Sequence, residues 1–354
     1  GNNYRLQGGK KSNASDLERE VNKQLLHYGL VASWLNNGVE NREKGIRPWH
    51  QNLWAREGSD GEEIPRDMYP VLIASHDEVN ADLFYDATYS NIVYRIHDAD
   101  GLKAFADLVN SGTSTNDYQF RVACLENDIN MEGVDWTPIG KDEDYKNFRG
   151  IFNGRGHKIT GLTCSSTNQP VGLIGTAFAN AVICNVTIGE GSSFTCEGDA
   201  GAGGIVGKVK IRGRDWGTVV IENCGSHANV NGFKHVGGIL GNVDTPDNNS
   251  TIKVYVNNCY STGTVTAEHG NSALLCGYMK NNGVVSNSWS SGQLRNGENK
   301  GIWPYSWENN DKVAECLVGY FDNRFDIKNC YIVNPEANVD RYNDKPLQSG
   351  VTVC

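Results

Sequence analysis

No run of apolar residues in this 354-residue chain approaches the roughly 18 that a membrane-spanning helix needs, so a spanning segment is excluded from it. Its ten cysteines never fall at CxxC spacing, its eight histidines are scattered, and no HExxH pair occurs. Neither zinc-ribbon nor zincin chemistry is therefore expected, and no metal or cofactor is expected in the chain. Basic residues are the minority, 32 Lys and Arg against 42 Asp and Glu, and none cluster among aromatics along one segment. With a formal net charge of −10, nucleic acid and anionic membrane are poor partners. Proline is scarce at 9 while glycine reaches 41, well above the roughly 7% of ordinary chains. That balance favours many tight turns over disorder.

What is present is a repeat. Its first half is Gly-aliphatic-Gly: GLIG at 172–175, GGIVG at 203–207, GGILG at 237–241, ALLCG at 273–277 and CLVG at 316–319. The closing glycines, Gly175, Gly207, Gly241, Gly277 and Gly319, lie 32, 34, 36 and 42 residues apart. The second half reads aliphatic-x-Asn-small, centred on Asn185, Asn223, Asn258, Asn287 and Asn329. After the Asn, segments such as 224–230 and 259–265 alternate at period two, as strands do. One copy has too few apolar residues to bury a face of its own, but copies stacked at about 4.8 Å share one continuous core. The expected fold is all-β, a parallel β-helix.

Periods this long exceed what the strands use, and the excess falls in polar or Gly-rich stretches at 208–217, 244–250 and 295–312. These are expected to protrude as loops, where function on a repeat scaffold usually resides.

The order of motifs resembles the GLUG-motif repeat family of bacterial surface proteins, common in gut Bacteroidetes and found beside IgA-cleaving metallopeptidases. The resemblance begins with DADGL at 98–102 and FADLVN at 105–110. It runs through LENDI at 125–129, WTPIG at 136–140 and FRGIFNGRGHKI at 148–159 into GLIG, and spans about residues 92 to 333. It implies a right-handed parallel β-helix, an extracellular or cell-surface location with any signal or anchor outside these residues, and adhesion or contact with a glycan or a host or envelope protein. It carries over no catalytic residue.

Residues 1–90 lie outside the resemblance and are taken as a separate N-terminal region, with 91–354 as the capped coil. Ser15, Asp16, Leu17 and Glu18 form a capping box, and Leu17, Val21, Leu25, Tyr28, Ala32 and Leu35 follow at helical spacing. An aromatic-rich irregular segment follows. A second helix at about 100–110 is expected to close the coil, because an open stack would expose an adhesive strand edge.

Cys224, Cys259 and Cys330 share a slot with Val186 and Ser288, and Cys276 shares one with Ile174, Val206, Leu240 and Val318. Such slots predict buried thiols, with a bridge between neighbouring rungs as the alternative. The five asparagines are expected to form a structural ladder at a turn rather than a binding groove. His157 is expected to be a packed turn residue, and Asp142, Glu143 and Asp144 an acidic turn rather than a calcium loop. Trp303, Tyr305 and Trp307, at alternate positions around Pro304, could face a sugar or a partner, with Trp216 as a weaker companion; equally they could fold back over the coil. The function expected is a non-catalytic binding module. The alternatives are a polysaccharide lyase or glycosidase, which needs two carboxylates from adjacent rungs, or a purely structural stalk. Glu222 is the one acidic residue at its outward repeat slot, beside Cys184, Asn257, Ser286 and Lys328.

Overall fold

The repeat slots become columns of stacked strands. The computed structural model describes residues 93–115, 118–211, 218–244, 253–269, 271–279, 283–296, 317–319, 326–333 and 351–353, with short pieces at 37, 42–44, 49–50, 55–57, 63–65 and 71–72. Five all-parallel sheets make up the coil, a parallel β-helix. Sheet 1 holds eight strands, Val93–Ile96, Val122–Leu125, Ile151–Asn153, Val182–Cys184, Thr218–Glu222, Lys253–Asn257, Gly283–Ser286 and Asp326–Lys328. Sheet 2, also of eight, includes Thr187–Ile188, Gly225–Ser226, Tyr260–Ser261, Trp289–Ser290 and Cys330–Ile332. Sheet 3 has five strands, Thr163–Ser166, Ser193–Cys196, Asn229–Gly232, Thr264–Ala267 and Gln293–Asn296. Sheet 4 is the short stack Ala202–Gly203, Val236–Gly237 and Ser272–Ala273, and sheet 5 stacks Ile174–Ala177, Val206–Lys210, Leu240–Asp244 and Cys276–Met279.

The registers follow the repeat. Ile183 pairs with Ile221, then Val256, Val285 and Ile327, and all five point into the core. In sheet 5 the column is Ile174, Val206, Leu240 and Cys276, extended by a bridge from Cys276 to Val318. Period-two alternation buries one side of each strand, and stacking makes that side continuous from rung to rung. The paired glycines of GGILG have a packing reason: a Cβ on Gly238 would sit 2.1 Å from the Ser261 Oγ on the opposite wall.

Helix α1, Ala99–Asn110, closes the first rungs. Asp98 caps it by accepting from the Gly101 N–H at 2.8 Å, while Leu102, Phe105, Ala106 and Val109 are buried. Phe105 meets Phe148 edge-on at 6.2 Å, which seats the helix on the core. The expected helix at 15–35 lies outside the described residues.

All eight described cysteines are free thiols, and Cys224, Cys259, Cys276 and Cys330 are buried. Burial drives the Cys276 thiol far above its ordinary range, so it acts as a small apolar side chain.

The outward side of sheet 1 is itself apolar and buried. Val122, Cys124, Ile151, Val182, Cys184, Val220, Tyr255 and Val284 form a second buried apolar cluster there. Over it lie described residues from the N-terminal region. Arg42 donates to Asn37 Oδ1 and to Glu222, its guanidinium sits 5.0 Å from the Tyr255 ring centroid, and Glu43 pairs with Lys253.

Candidate functional site

The aromatic residues singled out from sequence, Trp303, Tyr305 and Trp307 at 297–316 and Trp216 at 212–217, lie outside the described residues. Connectivity still places their attachment points. The first segment follows strand Gln293–Asn296 in the sequence, in the same rung as Trp289–Ser290, and the second falls between strands Val206–Lys210 and Thr218–Glu222.

A different aromatic set is on view. On the outer side of sheet 2, Thr187, Gly225, Tyr260, Trp289 and Tyr331 stand in register on successive rungs. The Tyr260 and Trp289 rings stack at 5.1 Å with planes 9° apart. Gly225 makes this possible, because a Cβ there would lie 2.3 Å from Tyr260 Cζ. The tyrosine therefore lies down along the sheet over the preceding rung, and the tryptophan lies on the tyrosine. His227 meets Tyr260 edge-on at 5.6 Å, and its Nδ1 is 2.5 Å from Thr262 Oγ1. Trp289 and Tyr331 keep 37% and 42% of their surface exposed. The signal was in the sequence: each aromatic is the second residue after a repeat asparagine, as in Asn258-Cys259-Tyr260, Asn287-Ser288-Trp289 and Asn329-Cys330-Tyr331.

Sheet 3 adjoins this line on the rungs of Thr187, Gly225, Tyr260 and Trp289. Its outward positions are Thr163 and Ser165, Ser193 and Thr195, Asn229 and Asn231, and Thr264 and Thr266, ending with Gln293 and Arg295. Their partners Cys164, Phe194, Val230, Val265 and Leu294 face inward.

The repeat asparagines form the turn between sheets 1 and 2. Asn185, Asn223, Asn258, Asn287 and Asn329 all adopt left-handed backbone, φ between 51° and 55°. Asn223 donates to Asn185 Oδ1 at 3.0 Å and Asn258 to Asn223 Oδ1 at 2.7 Å. The ladder starts one rung earlier than the motif indicates, since Asn185 donates to Asn153, and it slips once, since Asn287 donates to Asn257. Asn tolerates this backbone and its amide both donates and accepts, so one residue type serves turn and ladder together.

Glu222, Asp142 and Glu143 are engaged with cations. Glu222 receives the Arg42 guanidinium at 2.7 Å, with side-chain exposures of 11% for Arg42 and 12% for Glu222. Its register neighbours are Cys184 and Asn257, so no second acid adjoins it. Asp142 accepts from Lys208 at 2.8 Å and from Lys210 at 2.5 Å, and Lys208 also pairs with Asp244. Burial works against the Asp142 charge, but the two lysines outweigh it and hold its pKa below the usual carboxylate value. Glu143 pairs with Lys146. His157 sits half-exposed, 3.2 Å from Asp128. Among the described residues no three His, Cys, Asp or Glu side chains gather as a metal site. His235 packs 4.7 Å from the Tyr278 ring, and burial lowers its pKa to about 4.

No family model matches the chain. Halomucin from Haloquadratum walsbyi is 30% identical over 172 residues, which is 45% of this chain and 2% of that protein; the chain thus spans a small fraction of that relative. A Bacteroides ovatus crystal structure, provisionally assigned as an immunoglobulin A1 protease, superposes with a TM-score of 0.46 at 18% identity. The superposition covers 73% of this chain and 82% of that one. No helix among the described residues is long and apolar enough to cross a membrane.

Proposed function

We propose that this chain is a non-catalytic binding module, displayed at the cell surface or secreted, that contacts glycan through the aromatic ladder of sheet 2. One observation carries the reading. Of the four exposed large hydrophobic side chains among the described residues, two, Trp289 and Tyr331, are register partners on adjoining rungs, and Trp289 is pre-stacked on Tyr260. Flat rings held rigid before binding offer contact area at low entropic cost, and their faces suit the C–H faces of sugar rings. The coil is the spacer that presents them.

Exported location is supported by the resemblance of the repeat motifs to bacterial surface proteins and by the similarity to halomucin. Membership of the GLUG-motif family is part of the same proposal and rests on those motifs. The non-catalytic reading is supported by Glu222, whose carboxylate is held by Arg42 and has no acidic neighbour in register.

The test is a glycan array on the intact chain beside Trp289→Ala, with melting temperatures recorded for both. Specific binding that falls at least tenfold in a variant of unchanged melting temperature is the expected result. No binding at all would leave the coil as a structural stalk.

A further inference from the structure

The outer side of sheet 3 bears on which glycan. On the three rungs at its centre the outward pairs are Ser193 and Thr195, Asn229 and Asn231, and Thr264 and Thr266, in register along the sheet. The rung before adds Thr163 and Ser165. All eight are small, neutral and able both to donate and to accept hydrogen bonds. Backbone geometry sets them on a grid of about 4.8 Å between rungs and about 6.6 Å along each strand. None is charged, on a chain of net charge −10. The first charge on this side is Arg295 on the fifth strand, which donates to Gln293 at 2.7 Å. At the corner, the contact between His227 and Thr262 joins the grid to the aromatic ladder, because His227 also touches Tyr260.

We infer that the ligand is an uncharged, extended polysaccharide lying along the coil axis, its sugar faces on the ladder of Tyr260 and Trp289 and its hydroxyls on the Ser, Thr and Asn grid of sheet 3. This rests on the binding-module reading and deepens it. Uronate or sulfated glycans are recognised by Arg and Lys through charge-assisted bonds, and the grid holds neither on its first four rungs. A protein partner would call for an apolar centre with a polar rim, whereas here the exposed rings line one margin of a polar grid. The axis direction follows from the repeat, since along it a pair of small hydroxyl or amide side chains recurs on four successive rungs. Five stacked strands give four intervals of about 4.8 Å, roughly 19 Å of contact. Affinity therefore grows with oligosaccharide length until that span is filled.

The experiment is affinity electrophoresis of the full chain in gels containing a neutral β-glucan, a neutral mannan, alginate or polygalacturonate, followed by titration with neutral oligosaccharides of two to eight units. Two variants of the grid and one of the ladder accompany it. Thr195→Val with Thr266→Val removes hydroxyls and keeps shape and strand propensity; Asn231→Asp adds one negative charge. Trp289→Ala reports on the ladder alone. Expected are retardation by a neutral polymer, affinity rising with length, and a loss of tenfold or more in each grid variant at unchanged melting temperature. Retardation by the anionic polymers alone, or binding abolished by Trp289→Ala yet unchanged in both grid variants, overturns the inference and leaves the binding module standing. Failure to bind any polymer overturns both.

Discussion

Arg42 and Glu222 meet at 2.7 Å across 180 residues of sequence, tying the N-terminal region to the outward side of sheet 1. Both side chains are nearly buried, so removing one leaves the other charge without the partner that compensates its desolvation. Arg42→Ala is expected to cost about 2 to 4 kcal/mol, and the double variant with Glu222→Gln to cost less than the sum of the singles. Urea denaturation of the four proteins in the cycle checks this. Additive losses would show that the two side chains do not act as a pair.

Gly225 permits the ladder. Gly225→Val places a side chain where the Tyr260 ring lies, and the ring must swing away and release Trp289. Because that ring is near the surface, the expected stability loss is small, about 1 kcal/mol. Near-ultraviolet circular dichroism should lose its contribution from the stacked pair. An unchanged aromatic spectrum would mean that the stack does not depend on the glycine.

The asparagine turn separates backbone strain from hydrogen bonding. Asn223 sits at φ 55°, accepts from Asn258 and donates to Asn185. Asn223→Ala loses both bonds and places an unsuited residue in left-handed backbone, at an expected cost of about 2 to 4 kcal/mol. Asn223→Gly loses the bonds alone and should cost about 1 kcal/mol less than Ala. Thermal melts of the pair decide it, and a less stable Gly variant would contradict the assignment.

His235 makes stability depend on pH. Its folded pKa, lowered to about 4 by burial, lies below the unfolded value of about 6.5, so between the two the unfolded chain binds more protons. Its contribution is full above about pH 6.5 and is lost as the pH falls toward 4, up to about 3 kcal/mol in all. Asp142 adds a loss at still lower pH, as its depressed carboxyl protonates and releases Lys208 and Lys210. Chemical denaturation at pH 7, 5.5 and 4 should show a decline that His235→Phe flattens. Equal slopes for the two proteins would refute this.

The columns of the coil were legible because each repeat slot is a strict local pattern. Ile183, Ile221 and Val256 could be aligned by the asparagine two residues on, and the structure pairs them. The apolar side of sheet 1 was not legible in the same way. Val182, Val220 and Tyr255 alternate with the core residues Ile183, Ile221 and Val256, and local period does not tell that their side is covered too; the contact at Glu222 comes from Arg42, far outside any such period. The aromatic ladder lay between these cases. Tyr260, Trp289 and Tyr331 were visible as alternating strand residues, but only stacking the rungs brings them onto one outward line. Trp303, Tyr305 and Trp307 stood out as candidates instead, because their spacing is conspicuous within a single segment.

Hydroxyl-radical footprinting by mass spectrometry, with and without a bound neutral polysaccharide, tests the central claim most directly, because it reports on each aromatic ring separately. Protection of Tyr260, Trp289 and Tyr331, with Trp303 and Trp307 labelled as before, is the expected result. Protection confined to Trp303, Tyr305 and Trp307, with the sheet 2 rings unchanged, would contradict it and move the binding site to the segment between Asn296 and Leu317.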